Sequence, residues 1–526
     1  MNRRNLKLVF FATAVAALVL LAAACWRLTS RDLPAQYNDA RHLPRIRPDY
    51  IGTVIPPNVA PLNFLVEEPG AEFRVRIHGT EGRDILISSR SPDIIIPLRP
   101  WRELLDKNRG DKIGLDIYVK SKDGHWSRFD MIENAVAREE IDSHLVYRLL
   151  GPVCNRFRKV GIYQRNLENY DESPIVANNW IGGGCVNCHS FQNNRPDLFS
   201  FHVRPGADRE KSVAGMVLVR DGHAVRLQTK SKAAPRLPSY LSWHPGGSLV
   251  AFSMSKPNQV FPTAGAQLRD VWESESDLAV MNVTTCAAST SPGVANPDRL
   301  EIFPDWSPDG KTLYFCSAKS LWSPVRFPGV NDIKNTKFDL MRVQYDAEKN
   351  TWGRPEAVLV ASTAGKSILQ PRASPDGRYL LVCMIDYGGF PADQAGSDLY
   401  MMDIKSGKYH RLECNSDRCE SWHSWSSNSR WIVFSSKRDN GLLARPYFSY
   451  IDVEGREHKP FPLPQKDPAF YDSWLKTYNV PELVKGPVTI PQEELVRAIL
   501  SGNTPTNEPP KPVQVEQPDN DLYMHE

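Results

Sequence analysis

The sequence predicts a mainly-β chain whose second half is a radial β-propeller, because strand-turn-strand segments repeat there in phase. Each segment reads as a strand, a polar turn and a second strand, and the four that align lie at 240–255, 303–318, 370–385 and 423–437. The residues in register where the first strand ends are Trp243, Trp306, Ala373 and Trp425. A further strand pair follows each segment, which completes the four strands of a propeller blade. A β-sandwich would not repeat such a motif in phase.

A fifth, less regular unit precedes these four and contains FSFHVRP and GMVLVRDGHAVRLQT. We therefore predict a propeller over 199–464 with five visible blades. The Trp-Ser-Pro-Asp-Gly turn at 306–310 resembles the repeats of TolB-like, WD-repeat-like propellers, and this resemblance implies a sixth blade. Either the region just before the propeller or the C-terminal segment would have to complete that blade. Short helices are predicted over 465–502, and the Pro-rich tail at 503–526 is expected to be disordered.

The motif Cys-Val-Asn-Cys-His, at Cys185, Cys188 and His189, predicts one covalently bound haem c. In c-type cytochromes the two thiols form thioethers with the haem vinyl groups, and the adjacent His is the proximal iron ligand. With 9 Cys and 12 His in 526 residues, chance would supply this pattern roughly 0.004 times. A zinc ribbon would need a second C-x-x-C pair, and Cys414 and Cys419 are spaced C-x-x-x-x-C instead. A thioredoxin-like pair would open a helix in a βαβ unit, whereas the flanks here are rich in Gly and Asn.

The distal side of the iron takes another ligand or stays open, and this decides what the haem can do. His202 is one candidate ligand, because it follows His189 closely on the first predicted propeller strand. His244 is the other candidate, because it replaces the Ser found at this position of the sister repeats. Met216 and Met254 lie in apolar strand patterns and are expected in the core.

The N-terminus has the charge pattern of an export signal. Three basic residues precede an apolar run at 8–26, which is long enough to cross a membrane as a helix. The segment 1–26 is predicted to be a signal or membrane anchor, with three fates open: an uncleaved anchor, cleavage, or lipid attachment at Cys25. The rest of the chain would then lie at the periplasmic face of a bacterial membrane, where haem c is attached. The Pro- and charge-rich region 27–61 reads as a stalk.

Two further segments are predicted between the stalk and the propeller. Over 62–140, short alternating strands such as EFRVRIHG and DIIIPL indicate a small, immunoglobulin-like β-sandwich. Residues 141–198 are predicted to be a helix-loop connector that carries the haem site. Arg148, Tyr163 and Arg165 of this connector could contact the haem propionates, although surface or packing roles fit these residue types better.

Composition argues against a nucleic-acid partner and leaves the disulfides open. Lys and Arg total 64 against 61 Asp and Glu, a net charge of +3, so no basic surface is indicated. Outside Cys25 and the haem pair, only Cys414 and Cys419 are close enough in sequence to suggest a disulfide. The G-x-S-x-G, H-E-x-x-H and dinucleotide-binding signatures are absent from the sequence.

From the stalk onward the chain resembles bacterial, membrane-tethered cytochrome-c-like proteins that join a C-x-x-C-H site to a TolB-like propeller. The resemblance rests on EIDSHLVYRLLGP, GIYQRNL, CVNCHSF, FSFHVRP and SYLSWHPGGSLVAFS, and it implies a fold and a cofactor more than a reaction. The leading hypothesis is electron transfer, with the propeller docking a periplasmic or membrane redox protein. The alternatives are a haem enzyme acting on a nitrogen oxide or peroxide, and a TolB-like binding scaffold with a structural haem. Fold does not choose among these functions.

Overall fold

The computed structural model divides into two compact units. Its described residues are 33–151, 160–204, 214–227, 229–260, 269–322 and 328–501. The first unit contains 33–52, 61–136 and 466–469 of these residues, and the second contains the remainder. The predicted membrane segment 1–26 and the predicted tail 503–526 lie outside the described residues. Within the described ranges, no helix is both long and apolar enough to span a membrane.

The first unit is built from short strands, most of them antiparallel. The strands up to residue 136 are β1 (Asn38–Asp39), β2 (Ile46–Arg47), β3 (Val54–Ile55, in the second unit), β4 (Phe64–Val66), β5 (Glu72–Gly79), β6 (Ile85–Ser89), β7 (Asp93–Ile94), β8 (Lys112–Lys120), β9 (Trp126–Arg128) and β10 (Ile132–Val136). One sheet contains β1, β5, β6, β8, β9 and β10, and a second contains β2, β4 and β7. In β5, Phe73, Val75 and Ile77 are buried and alternate with more exposed residues, as expected for a strand with one buried face. Helix α1 (Leu98–Lys107) buries Trp101 and Leu105 on one side.

This unit begins earlier than the sequence predicts. β1 pairs with β9 and β2 pairs with β4, so part of the predicted stalk 27–61 belongs to the sheets. Each of the two strands is two residues long, which is too short for a periodic pattern to be visible in the sequence. The immunoglobulin-like topology of the predicted sandwich at 62–140 stays a prediction.

The second unit is a β-propeller with six blades in its described part. Its strands from residue 137 onward are β11 (His144–Leu150), β12 (Gly161–Asn166), β13 (Glu172–Ala177), β14 (Cys185–Phe191), β15 (Leu198–Arg204), β16 (Gly215–Arg220), β17 (His223–Leu227), β18 (Ser239–Trp243), β19 (Leu249–Ser253), β20 (Pro257–Val260), β21 (Asp270–Glu273), β22 (Leu278–Asn282), β23 (Ala288–Ser289), β24 (Arg299–Trp306), β25 (Thr312–Lys319), β26 (Asp339–Asp346), β27 (Thr351–Trp352), β28 (Glu356–Leu359), β29 (Ser367–Ala373), β30 (Tyr379–Ile385), β31 (Asp398–Asp403), β32 (Tyr409–Arg411), β33 (Glu420–Trp425), β34 (Trp431–Ser436), β35 (Arg445–Tyr450), β36 (Phe461–Pro462) and β37 (Thr477–Val484). The described helices of this unit are α2 (Val330–Asn335), α3 (Ala361–Ala364), α4 (Phe470–Ser473) and α5 (Gln492–Ser501).

Each blade is one antiparallel sheet. From the first to the sixth, the blades are β14–β17; β18, β19, β22 and β23; β24–β28; β29–β32; β33–β36; and β37 with β11, β12 and β13. In the sequence, the hairpin of β20 and β21 is inserted between β19 and β22, the second and third strands of blade 2. The inner strands β14, β18, β24, β29, β33 and β37 contact one another in that order, and β37 also contacts β14. The inner strands therefore form a closed ring around a central channel.

The sixth blade joins two distant parts of the chain. β37 pairs antiparallel with β11, and His144 lies opposite Val484. The propeller therefore extends beyond the predicted range 199–464 on both sides. The described part of the predicted connector 141–198 contains strands β11 to β14 and two short 3-10 helices, with no α-helix, and the predicted helical segment 465–502 contains β37 before α5. Neither segment carries the Trp-turn repeat that marks the other blades in the sequence.

The in-phase tryptophans connect each blade to the one before it. The Nε1 of Trp243 donates to the carbonyl of Ser190 in blade 1, at 3.0 Å. The Nε1 of Trp425 likewise donates to the carbonyl of Arg372 in blade 4, at 3.0 Å. These two indoles thus supply packing area and one hydrogen bond each across a blade interface, whereas Trp306 supplies packing only, since its Nε1 has no hydrogen-bond partner among the described residues.

Apolar clusters between neighbouring blades form the core of the propeller. Successive residues of a strand face opposite sides, so each central strand contributes to two clusters. On β15, Phe199 and Phe201 pack with Val146 of blade 6. The alternate residue, Leu198, packs with Met216 and with Leu241 of blade 2. The predicted core methionines lie in this second cluster, as expected.

The packing between blades 2 and 3 can be tested by substitution of Trp306. It is 5% exposed and packs with Leu249 of blade 2 and Leu313 of blade 3. We expect Trp306→Ala to lower the free energy of unfolding by about 3 to 5 kcal/mol, because the cavity left behind cannot collapse completely. Chemical denaturation measures the change, with Leu475→Ala, at a 64% exposed residue, as a control with little effect. A loss no larger than that of the control would contradict this packing.

A buried carboxyl on β24 makes the stability of the propeller depend on pH. The Oε1 of Glu301 accepts from the Ser317 hydroxyl at 3.4 Å, and its Oε2 has no hydrogen-bond partner among the described residues. Burial, helped by the negative charge of Asp277, raises the pKa of Glu301 from 4.5 to about 8. The native state therefore binds this proton more tightly than the unfolded chain does. The stability that this bound proton adds to the native state is complete at pH values below the pKa of Glu301 in the unfolded chain. It is lost as the pH rises through about 8, the pKa of Glu301 in the native state.

We expect Glu301→Gln, which has no ionisable proton, to reduce the loss of unfolding free energy between about pH 5 and about pH 9. The expected reduction is on the order of a few kcal/mol, because each pKa unit corresponds to about 1.4 kcal/mol. Urea denaturation across this range measures it, and the same change at exposed Glu348 is the control. If wild type and Glu301→Gln lose stability equally, the carboxyl does not carry this pH dependence.

Candidate functional site

A β-bulge interrupts every inner strand of the ring. One residue at each bulge is not glycine and yet has a positive φ, between 49° and 54°: Cys188, Tyr240, Phe303, Gln370, Trp422 and Val480. A left-handed backbone costs such residues about 1 to 2 kcal/mol each. A bulge also changes the direction of the side chains around it. In this ring it brings residues of six strands to the wall of the channel.

The bulges surround a small cavity on the propeller axis. Its volume is about 30 Å³, and the bulge residues form the first layer of its wall. The residues that follow them form the second layer: His189, Leu241, Pro304, Pro371, His423 and Pro481. Arg372 and Glu482 also line the cavity. A space of this size holds about one water molecule.

The inner strand of blade 1, β14, carries the whole C-x-x-C-H motif. Cys185, Cys188 and His189 are all buried, and both thiols are free. The three glycines at 182–184 have φ values of 75°, 88° and 97°, a backbone that glycine adopts without steric cost. The chain thus enters β14 through a turn that a side chain would strain. The motif therefore belongs to the propeller and not to a separate connector, and its Cys188 and His189 are part of the channel wall.

Arg148 lies against the first thiol of the motif. Its Nε donates to the carbonyl of Val186 at 2.8 Å, and one terminal nitrogen donates to the Sγ of Cys185 at 3.2 Å. Arg148 is on β11 of blade 6, so this contact crosses the interface where the ring closes. Of the three predicted haem contacts, the structure brings this residue to the motif.

The other two predicted haem contacts have different surroundings. Arg165 donates to the carbonyl of Pro464 at 3.0 Å and to the side chain of Gln465 at 3.3 Å. Tyr163 lies on β12, the third strand of blade 6, opposite Tyr147 of β11. For Arg165, the structure favours the packing role that the sequence also allowed.

The imidazole of His189 makes no regular hydrogen bond to a described residue, although the backbone of Val480 and Val146 lies close enough to oppose the lowering of its pKa. Its side chain is buried, and neither ring nitrogen has a partner among the residues that the structure describes. Burial, with the positive charges of Arg372 and Arg148, lowers the pKa of His189 to about 3. A neutral imidazole keeps one lone pair, which can bind a metal or accept a proton.

A second histidine of the same kind, His423, lines the cavity and was not among the predicted ligands. It is buried, and no described residue pairs with either ring nitrogen. Burial lowers the pKa of His423 to about 3. The repeat contained a signal, because the same position is Leu241, Pro304 and Pro371 in the sister segments. This departure is as large as the one that singled out His244.

The two predicted distal ligands lie elsewhere. His202, on β15, is buried and without a partner at either ring nitrogen among the described residues. It is paired with Met216 in the register of blade 1 and is not one of the residues that line the cavity. The Nδ1 of His244 accepts from the backbone N–H of Gly246 at 3.0 Å, and its Nε2 lies 3.1 Å from the carbonyl of Gly310. With both nitrogens engaged, His244 has no free lone pair, so the structure argues against it as a ligand.

A layer of charged residues and serines lies between the cavity and a wider opening of about 340 Å³ at one end of the channel. The third layer of the wall consists of Ser190, Ser242, Asp305, Arg372, Ser424 and Glu482. Arg372 lies 3.3 Å from Asp305 and 3.8 Å from Glu482, measured between side-chain nitrogen and oxygen atoms. Burial raises the pKa of Glu482 to about 7. Arg372 and Glu482 line both spaces, so the ion pair lies between the opening and the histidines.

The motif has the donor types that a covalent haem requires, although Cys188 lines the cavity and Cys185 does not. Two free thiols stand at the required spacing, followed by an imidazole with a free lone pair. Six buried polar atoms without a partner among the described residues belong to the cavity wall, on His189, Gln370, Trp422 and His423. No group of three or more His, Cys, Asp or Glu in the described ranges is arranged to hold a bare metal ion.

The cavity in this structure is too small for a haem. Its volume is far below the roughly 300 to 1,000 Å³ of sites for small organic ligands. The rings of Tyr240 and Phe303 lie 4.2 Å apart, and Trp422 lies 6.0 and 6.1 Å from them, between ring centroids. A haem in the channel would therefore take space that these three side chains fill in this structure.

The remaining cysteine prediction concerns Cys414 and Cys419. Both are buried free thiols in the structure, and the suggested disulfide between them is not formed. The Sγ of Cys419 instead lies 3.3 Å from the carbonyl of Pro391, as a thiol donor. Cys25 lies outside the described residues.

No protein-family profile matches the chain. The chain is 28% identical over 222 residues to a curated protein of Agrobacterium fabrum (strain C58 / ATCC 33970), named Uncharacterized protein Atu1656. The alignment covers 38% of this chain and 64% of that relative, which is less than two thirds of the relative's length.

Among solved structures, the chain is similar to TolB from Acinetobacter baumannii, with 12% identity and a TM-score of 0.39 over 71% of this chain and 79% of that chain. Hydrazine synthase of Kuenenia stuttgartiensis has 15% identity and a TM-score of 0.27, over 51% and 64%. The Dos1 propeller has 11% identity and a TM-score of 0.32, over 54% and 63%. At these TM-scores none of the likenesses carries an argument, and the propeller fold rests on the strand pairing described above.

Proposed function

We propose that this chain is a monohaem c-type cytochrome that transfers single electrons. Cys185 and Cys188 would hold the haem covalently, and His189 would be its proximal ligand. One observation carries the proposal: the C-x-x-C-H motif has two free thiols, and its Cys188 and His189 line a buried cavity together with a second histidine, His423. Such a donor set is costly to bury unless a ligand satisfies it.

The haem, when bound, supplies a one-electron couple between ferric and ferrous iron. The chain's own residues would fix its position and exclude water. Arg148 would hold β14 through the carbonyl of Val186, and its guanidinium beside Cys185 places a positive charge at the attachment site. Tyr240, Phe303 and Trp422 would have to move to admit the cofactor, because these side chains fill its space in this structure. A buried, rigid site changes little on reduction, which favours transfer over binding of a substrate.

The partners of this function are redox proteins. One electron would enter from a donor protein and leave to an acceptor protein, with no bond made or broken on this chain. The apolar run at 8–26 with its basic flank supports a location at the periplasmic face of a bacterial membrane, tethered by an anchor or a lipid. Attachment of haem c outside the cytoplasm requires the same location.

A second function, a haem enzyme acting on a nitrogen oxide or peroxide, is favoured by the polar end of the cavity. Arg372 and Glu482 line the cavity together with both histidines. A guanidinium and a carboxyl with a pKa of about 7 are groups that can bind an anion and exchange a proton. This function requires an open or weakly held coordination position on the iron.

The covalent link is tested by extraction of the haem. We expect acid-acetone treatment to leave the haem on the wild-type protein, because thioether bonds resist it. The double variant Cys185→Ala with Cys188→Ala should lose this retention, whereas Cys414→Ala with Cys419→Ala, at two other buried thiols, should keep it. Absorption spectra of the protein and extract fractions measure the partition. Extraction of the haem from wild type would refute a c-type cytochrome.

The spin state of the iron separates electron transfer from catalysis. For electron transfer we expect a low-spin, six-coordinate spectrum in both oxidation states, since two strong ligands keep the geometry unchanged on reduction. Cyanide and nitrite should then bind slowly. Absorption and electron paramagnetic resonance spectra of the purified protein give the answer. A high-spin wild type that binds either anion rapidly would favour the enzyme and count against the transfer function.

A further inference from the structure

We infer that the wide opening at one end of the propeller channel binds a small organic carboxylate. The opening has a volume of about 340 Å³, which lies within the roughly 300 to 1,000 Å³ of sites for small organic ligands. Its lining residues all belong to the propeller unit. The inference goes beyond the proposed function and does not depend on it, because the described lining of this opening contains neither a thiol nor an imidazole.

Most of the carboxyl oxygens in the wall of the opening accept hydrogen bonds from the protein itself. For Asp305, Oδ1 accepts from the Ser242 hydroxyl at 3.2 Å, and Oδ2 accepts from the backbone N–H of Ala373 at 2.8 Å. For Glu482, Oε2 accepts from the backbone N–H of Phe191 at 3.1 Å. Both carboxyl side chains are buried. These oxygens hold neighbouring inner strands together, so the wall offers little to a cationic ligand.

The guanidinium of Arg372, in contrast, keeps donors that the protein does not use. It carries several N–H donors, and one of them makes a hydrogen bond to a described residue, the carboxyl of Asp305, at 3.3 Å. The carboxyl of Glu482 lies 3.8 Å from another nitrogen of the guanidinium. Charge-assisted hydrogen bonds of this kind are normally about 2.7 to 2.9 Å long, so both contacts are loose. The Arg372 side chain is 27% exposed and lines the opening.

Two further donors line the same opening. The Nζ of Lys485 makes no hydrogen bond to a described residue, and the carboxyl of Asp142 beside it is bound by the hydroxyl and N–H of Ser427 instead, at 2.7 and 2.8 Å. The Nε1 of Trp306 is buried and has no acceptor among the residues that the structure describes. The opening therefore has more free donors than free acceptors, which favours an anionic ligand.

Geometry and charge favour a carboxylate over a phosphate. A planar guanidinium can donate two parallel hydrogen bonds to a planar carboxylate. The carboxyls of Asp305 and Glu482 lie beside the guanidinium, and like charges repel. A group with one negative charge is therefore repelled less at this point than a doubly charged phosphate. The second group of a dicarboxylate would meet the exposed Lys485.

Titration calorimetry of the full-length protein with succinate tests the inference. We expect saturable binding of succinate. Succinamide, which has the same length and no charge, should bind at least about tenfold more weakly, because it loses a hydrogen bond between charged groups. Inorganic phosphate should also bind more weakly than succinate. Absence of succinate binding, equal binding of succinamide or tighter binding of phosphate would each overturn the inference.

Two variants locate the bound anion. We expect Arg372→Gln to weaken succinate binding by at least about tenfold, because it removes the main donor. Lys485→Gln changes an exposed residue, so folding is not at risk, and it should weaken binding by roughly two- to fivefold. Lys311→Gln, at an exposed lysine outside the opening, is the matched control and should bind as wild type does. Wild-type affinity in both Arg372→Gln and Lys485→Gln would place the anion elsewhere and overturn the inference.

A carboxylate can belong to a free small molecule or to the C-terminus of a peptide, and the same titration separates these sources. The probes are an alanine tripeptide with a free C-terminus and its amidated form. Binding of succinate without binding of either tripeptide assigns a free small molecule. Tighter binding of the free tripeptide than of succinate, lost on amidation, assigns a peptide C-terminus. Equal binding of both tripeptides at wild-type Arg372 would show that the carboxylate is not what the opening recognises.

Discussion

The propeller depends on the antiparallel pairing of β37 with β11, because this pairing closes the ring of inner strands. A propeller left open would expose strand edges and the apolar faces of two blades. Side chains reinforce the closure from neighbouring blades. The Nδ2 of Asn194 in blade 1 donates to the carbonyls of Trp425 in blade 5 and Leu483 in blade 6, at 3.0 and 2.8 Å. One asparagine thus links three blades across the point where the two ends of the propeller meet.

Closure also creates the candidate site. The cavity wall takes two or three residues from each of the six inner strands, so it does not exist until the last strand is in place. Arg148 comes from β11 and Glu482 from β37, which are the two strands that close the ring. The strained bulges have the same dependence, since a left-handed residue that costs about 1 to 2 kcal/mol is held only by pairing on both sides of it. Fold and site are therefore formed in one step.

The features that could be predicted from the sequence are the repeated blade segments and the motif with a fixed residue spacing. Trp243, Trp306 and Trp425 marked blades because each ends an inner strand at the same point. The C-x-x-C-H motif could be recognised for the same reason. The sixth blade was placed less well, since β11 and β37 are paired across nearly the whole propeller and no local pattern reports such a contact. His423 was missed although it departs from the Leu and Pro of the sister segments, because only the closed ring shows that this position lines the cavity.

Burial of the motif limits when a haem could be attached. Cys185 is 4% exposed and Cys188 is 8% exposed, and a thiol must be reached by the vinyl group with which it reacts. The surrounding wall leaves about 30 Å³, which admits no tetrapyrrole once the ring is closed. Under the proposed function, a bound haem would therefore require Tyr240, Phe303 and Trp422 to take positions other than those of this structure, because these side chains fill the cavity of the closed ring.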